Sequence, residues 1–158
     1  MLPLANRRAF VLRLAPILLC LALTACGPYP RDVSGTLDRI ERKQRFAVGL
    51  AELRPGDEQA ARRFVARLER ATGATGTIER GPLESQLMRL EEGDLDLVIA
   101  EIAEDSPWLT PVAVIEPLKQ RREGKRRLGL SPVAANGENR WIGLIEREVR
   151  DSVGQPRG

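Results

Sequence analysis

The sequence contains no histidine. That excludes a Ser-His-Asp triad, a Cys-His nucleophile pair and any zinc site built on imidazole. It has two cysteines, Cys20 and Cys26, and none beyond residue 26. Everything after that point therefore lacks a disulfide, a thiolate nucleophile and the ligands of an iron–sulfur cluster. Aromatic residues are few, at 4 %, while charged residues reach 30 %. Apolar residues still make up 42 %, enough for a folded domain rather than a disordered chain.

The first 25 residues read as an export signal. Arg7 and Arg8 supply a positive start, and Ala9 to Leu23 an apolar run interrupted by Arg13 and Pro16. That run is too short and too broken to span a bilayer well. It closes on Leu23-Thr24-Ala25-Cys26, small residues that fit the subsites of a signal peptidase. With the cysteine added, the segment resembles the lipobox of bacterial lipoproteins. The resemblance implies cleavage before Cys26, a diacylglycerol on its thiol and an acyl chain on its new amino group. Such a multi-chain anchor holds where one chain is marginal. Cys20 leaves with the signal. Gly27, rather than aspartate, follows the cysteine, which implies an outer-membrane lipoprotein facing the periplasm. Residues 26–33, with Pro28 and Pro30, read as a short tether.

Cleavage also changes the charge. The signal holds Arg7, Arg8 and Arg13, so the mature chain keeps 22 of the 25 basic side chains against 22 acidic ones. The net charge of +3 belongs to the segment that is removed. A nucleic-acid partner, which needs a positive surplus on the folded domain, is not expected.

The mature chain, 158 residues less 25, suits one domain. Residues 34–153 read as that domain, and Gly154 to Gly158 as a frayed tail. Thr36 to Arg45 reads as a helix capped by Ser34 or Thr36, and Phe46 to Leu50 as a buried strand. Asp57 can cap a helix to about Thr72, whose Ala61, Phe64, Val65, Leu68 and Ala71 form a stripe at helical spacing, and Gly73 ends it. Ala74 to Glu79 reads as a second strand. Gly81-Pro82 opens a helix with Leu83, Leu87 and Leu90 on one side, and Gly93 closes it. Asp94 to Ala100 reads as a third strand. Helices alternating with apolar strands predict an α/β fold with a mostly parallel sheet flanked by helices. Beyond it come a loop at Asp105–Trp108, a short strand Val112 to Ile115, a charged turn Lys119 to Arg127 around Gly124, and a strand Leu128 to Ala134. Asn136-Gly137 opens a last helix, with Trp141, Leu144, Ile145 and Val149 on its apolar side.

Four segments carry a further resemblance. They are Thr36-Leu37-Asp38-Arg39-Ile40 leading into Arg45-Phe46-Ala47-Val48-Gly49, the run Leu83 to Ala100 with its Gly93-Asp94-Leu95-Asp96-Leu97-Val98-Ile99, the strand Thr110 to Pro117, and Asn136-Gly137-Glu138-Asn139. Together they resemble the first lobe of periplasmic solute-binding proteins of amino-acid uptake systems. The resemblance implies a single solute-binding-protein-like lobe, binding of a small polar solute and association with an ABC-type transport system. In that family a second lobe closes over the ligand; here only Leu118 to Arg127 stands in its place. The arginine that clamps the ligand carboxylate in amino-acid binders falls, counting back from Val112, on Trp108. An indole cannot form the bidentate pair, though it can stack on a cation.

Several residues stand out as site candidates. Glu101, Glu104 and Asp105 follow the third strand at its carboxyl end, where open α/β sheets bind ligands. They suit an amine or another cation; the alternative is a solvated acidic loop. Glu52 and Arg54, after the first strand, line the same rim with Trp108. Lys119, Arg121, Arg122, Lys125, Arg126 and Arg127 form a basic cluster that reads either as a contact for anionic lipid or an acidic partner, or as a solvated hairpin tip. Asp94 and Asp96 sit at the wrong end of their strand for acid–base work at the ligand edge, and no catalytic motif accompanies them. No enzyme, metal or cofactor is expected. The competing function is a non-catalytic interaction or structural lipoprotein of the envelope that has lost ligand capture.

Overall fold

The apolar run after Arg45 explains the centre of the fold. In the computed structural model, which describes residues 32–51, 53–106 and 110–154, strand β1 (Arg45–Leu50) is flanked on both sides by parallel strands. Helix α1 (Thr36–Lys43) precedes it. Gln44, with φ 52, stops the helix and turns the chain into the strand. Helix α2 (Pro55–Thr72) then crosses to β2 (Thr75–Arg80), and helix α3 (Leu83–Glu91) crosses to β3 (Leu97–Ala103). Gly73 ends α2 at φ 70 and gives its amide to the Glu69 carbonyl at 2.8 Å, the left-handed stop that a glycine allows without strain.

The remainder of the sheet corrects the expectation of a mostly parallel one. Strands β4 (Val112–Val114), β5 (Lys119–Glu123) and β6 (Arg126–Ala135) follow without an intervening helix. The order is β2-β1-β3-β6-β4, with β5 also paired to β6. β6 is antiparallel to β3, β4 and β5, so the sheet is mixed. The reason is connection length. A parallel neighbour needs a crossover of a dozen or more residues, which α2 and α3 provide; β6 instead follows β5 through the tight turn at Gly124 and Lys125, which reverses the chain and sets β6 antiparallel beside β3. The expected charged turn at Lys119–Arg127 is correspondingly a hairpin. Lys119 to Glu123 pairs with Leu130 to Arg126, and the turn itself is Gly124 (φ 59) and Lys125.

The strands alternate faces, and both faces are covered. On one, Phe46, Val48, Leu50, Leu97, Ile99, Leu130 and Ala134 pack against α1, α2 and α4 (Asn139–Val153). On the other, Val98, Ala100, Ile102 and Val133 pack with Leu87 and Leu90 of α3. Trp141, fully buried, meets Phe46 edge-on at 5.9 Å and donates its indole N–H to the Asp96 carbonyl at 2.7 Å. Burying an indole of that size contributes about 4–6 kcal/mol of transfer free energy.

Asp96 itself precedes β3 rather than starting it. One carboxylate oxygen accepts the Ala47 amide at 2.8 Å and the other meets Arg39 at 2.7 Å. Asp94 is exposed, whereas Asp96 is buried and committed to Ala47 and Arg39.

The described chain begins at Asp32, at the end of the stretch read as tether, and it is held there. Asp32 and Glu138 form a β-bridge. One Asp32 oxygen accepts the Leu37 amide at 2.9 Å; the other accepts those of Arg140 at 2.6 Å and Trp141 at 3.2 Å. Glu138 accepts the amides of Ser34 at 2.6 Å and Thr36 at 2.9 Å. The two carboxylates thus serve the open N-termini of α1 and α4 reciprocally. The caps expected from the side chains of Ser34 and Thr36 are absent, because these acids from elsewhere take that role.

Candidate functional site

Parallel strands bring their carboxyl ends to one edge, and the tip of the β5–β6 hairpin lies at that same edge. Leu50, Arg80 and Ala103 end β1, β2 and β3 there, and Arg126 begins β6 beside them. The N-terminus of α2 sits over the same edge, since α2 follows β1 through a short loop. Residues far apart in sequence thereby meet.

Glu101 is the hub. From β3 its side chain takes the guanidinium of Arg121, which reaches across β6 from β5. The contact is bidentate, with Nε to Oε1 at 2.5 Å and a terminal nitrogen to Oε2 at 2.7 Å. Arg121 also meets Glu123 at 3.2 Å. Arg54, before α2, lies 3.7 Å from Glu101 and donates twice to Asp57, at 3.2 and 3.0 Å. Lys119 completes the chain of contacts, donating to Asp57 at 3.1 Å and to the Gly56 carbonyl at 2.9 Å. Three cations (Arg54, Lys119, Arg121) therefore face three acids (Asp57, Glu101, Glu123), and the set is neutral.

The acids titrate accordingly. The Arg121 bond holds Glu101 below the usual carboxylate range against a smaller opposing effect of burial, and Arg121 itself is raised by Glu101. Burial pushes Asp57 up, but its bonds to Lys119 and Arg54 outweigh it and the net shift is downward. The first turn of α2 further favours the Asp57 charge.

An outer tier lies nearer water. Asp105 accepts from Arg126 at 3.0 and 3.1 Å, and Glu104 meets Arg127 at 3.6 Å. Exposed pairs of this kind are worth at most about 1 kcal/mol. Arg122 and Lys125 are exposed and have no ion-pair partner among the described residues. The acidic loop and the basic cluster, read separately from the sequence, are thus two halves of one arrangement. Cys26, Glu52 and Trp108 lie outside the described residues.

Beside the rim, a groove of about 280 Å³ runs across β6 between β3 and the β4–β5 edge. Ile102, Val114, Pro117 and Leu128 give it apolar walls, and Gln120 and Ser131 add polar atoms. Gly129 is required in its floor, since a Cβ there would stand 2.8 Å from that of Pro117.

Two polar residues have roles that sequence spacing does not show. Asp57, a helix-cap candidate by sequence, is half-buried and anchors Lys119. Gln86 of α3, 2 % exposed, is wedged between glycines: a Cβ on Gly49 would fall 2.3 Å from its Oε1, and one on Gly81 2.6 Å from its Nε2. The available signal is Gly49 inside a strand-forming stretch, which marks close approach.

Neither a protein-family model nor a curated protein matches the chain. Solved structures do. A point mutant of the arginine-bound form of domain 1 from TmArgBP matches with a TM-score of 0.62 at 16 % identity, over 75 % of this chain and 99 % of that one. An ancestral cationic amino acid solute-binding protein matches with a TM-score of 0.60 at 9 % identity, over 73 % and 93 %. A mutant of ArgBP from T. maritima matches with a TM-score of 0.57 at 9 % identity, over 73 % and 92 %. At these identities the likeness speaks to architecture alone: the described chain has the fold of one lobe, domain 1, of a solute-binding protein.

Proposed function

We propose that the protein is an exported, lipid-anchored lobe that binds a small polar solute at the carboxyl end of its sheet, in association with a transport system. The observation that carries this reading is the rim built from α2, β3 and β5, where charges of both signs converge on the edge at which α/β sheets take ligands. The lobe similar in fold, domain 1 of TmArgBP, has an arginine-bound form on its own, which supports ligand binding by a single wall.

A thermal-shift screen of the full chain in detergent tests this reading, with amino acids, polyamines and small organic acids as probes. A solute at a hundred times its Kd stabilises by about 2.7 kcal/mol, a rise of about 8–13 °C for a domain of this size. A flat screen rejects solute capture. It would leave the second reading, an interaction lipoprotein, which the mutual pairing of Glu101, Asp57, Arg121 and Lys119 favours because no net charge is left over; pull-down from envelope extract tests it. The anchor is tested by intact mass: wild type should carry the diacylglyceryl increment, and a Cys26→Ser variant that stayed equally acylated would refute it.

A further inference from the structure

We propose that Arg121 is a tethered ligand: its guanidinium occupies the carboxylate of Glu101 in competition with a free solute bearing a guanidinium or amidinium group. This rests on the solute-binding reading and names the solute class.

The geometry carries it. Arg121 lies on β5, which among the described residues pairs with β6 alone, in the short hairpin that stands where a second lobe is expected. Its side chain leaves its own strand, passes over β6 and lands fork-to-fork on Glu101. That is the bidentate recognition a planar guanidinium offers and an ammonium cannot reproduce. A guanidinium solute would need the same two oxygens in the same plane. Both side chains keep roughly a quarter of their surface in water, at 28 % and 26 %. Exchange therefore requires a rotamer change of Arg121 and no unfolding. The hairpin is independently tied down by Lys119 on Asp57 and Gly56, so releasing Arg121 leaves the strand in place. Arg54 stands 3.7 Å from Glu101 and gives its two shorter bonds to Asp57.

A group tethered beside its partner competes at a high effective concentration. If the pair is closed about 99 % of the time, a solute needing Glu101 binds about a hundredfold more weakly than the open site allows. Removing the internal competitor restores that factor.

The test is isothermal titration of the full chain in detergent with L-arginine and, separately, methylguanidinium. Wild type is compared with Arg121→Gln, Arg121→Lys and the double variant Arg121→Gln/Glu101→Gln, each checked for folding by circular dichroism. Arg121→Gln should bind both probes at least tenfold more tightly than wild type. Arg121→Lys, a point charge without the fork, should fall between them, and the double variant should lose the gain. Equal affinity in wild type and Arg121→Gln overturns the tethered-ligand assignment while leaving solute binding intact. Absence of binding in every variant, with a positive hit for another solute class in the wild-type screen, overturns the assignment alone. Absence in both experiments overturns it together with the solute-binding reading.

Discussion

Glu138 offers a prediction whose size follows from its contacts. Replacing it with alanine removes both acceptors from the Ser34 and Thr36 amides. The Thr36 amide lies in a buried contact and cannot turn to water; that of Ser34 is partly open. An orphaned buried donor costs about 1–3 kcal/mol, so the two together cost about 2–4 kcal/mol. At about 4 °C per kcal/mol this lowers Tm by about 8–16 °C. Urea unfolding followed by tryptophan fluorescence reads it as a lower midpoint with an unchanged slope. Glutamine keeps one carbonyl acceptor but turns an NH2 toward the other donor, and should lose about half as much. The pH dependence has a fixed sign. Burial opposes the Glu138 charge, yet the Ser34 and Thr36 amides outweigh it and bring its pKa below the ordinary 4.5. Its contribution is therefore present above about pH 4.5 and fades as pH falls through the lowered value. The glutamine variant should lack this part of the acid sensitivity. A loss below about 0.5 kcal/mol for Glu138→Ala would refute the clamp between α1 and α4.

Other substitutions test the packing. Trp141→Ala removes the fully buried indole, its contact with Phe46 and its bond to Asp96, and should cost about 3–5 kcal/mol in denaturant unfolding. Gly49→Ala should lower stability by about 1–3 kcal/mol, since its Cβ lands on Gln86 and Leu95. Gly143→Ala should raise it by about 0.5–1 kcal/mol, because it lies inside α4 with nothing within 4 Å of the added atom. Thermal unfolding of the pair would contradict the account if both shifted in the same direction.

Much of the fold is written locally. The stripes of α2 and α4, the continuous apolar stretches of β1 and β3 and the Gly73 stop are legible because each depends on near neighbours. The sheet's mixed sense was less legible. It depends on the tight β5–β6 turn that returns β6 antiparallel beside β3, and the charged run Lys119 to Glu123 carries little strand propensity; it is a strand because β6 offers it a partner. The caps show the same limit. Asp32 and Glu138 act across more than a hundred residues of sequence, and spacing favoured the nearer Ser34 and Thr36. At the rim, residue types were visible but partners were not. Glu101 reads as an acid awaiting a cation, and only register, Glu101 opposite Leu130 and Arg121 opposite Leu128, shows that the chain supplies the cation itself.

The central claim is that the carboxyl-end rim is the solute site. Amide chemical-shift mapping of the ¹⁵N-labelled protein during titration with L-arginine tests it most directly. The account predicts shifts concentrated at residues 53–57, 101–104 and 119–122, stronger in Arg121→Gln, with the amino-end segment 32–43 unmoved. Shifts confined to 32–43, or none at any concentration in either protein, would contradict it.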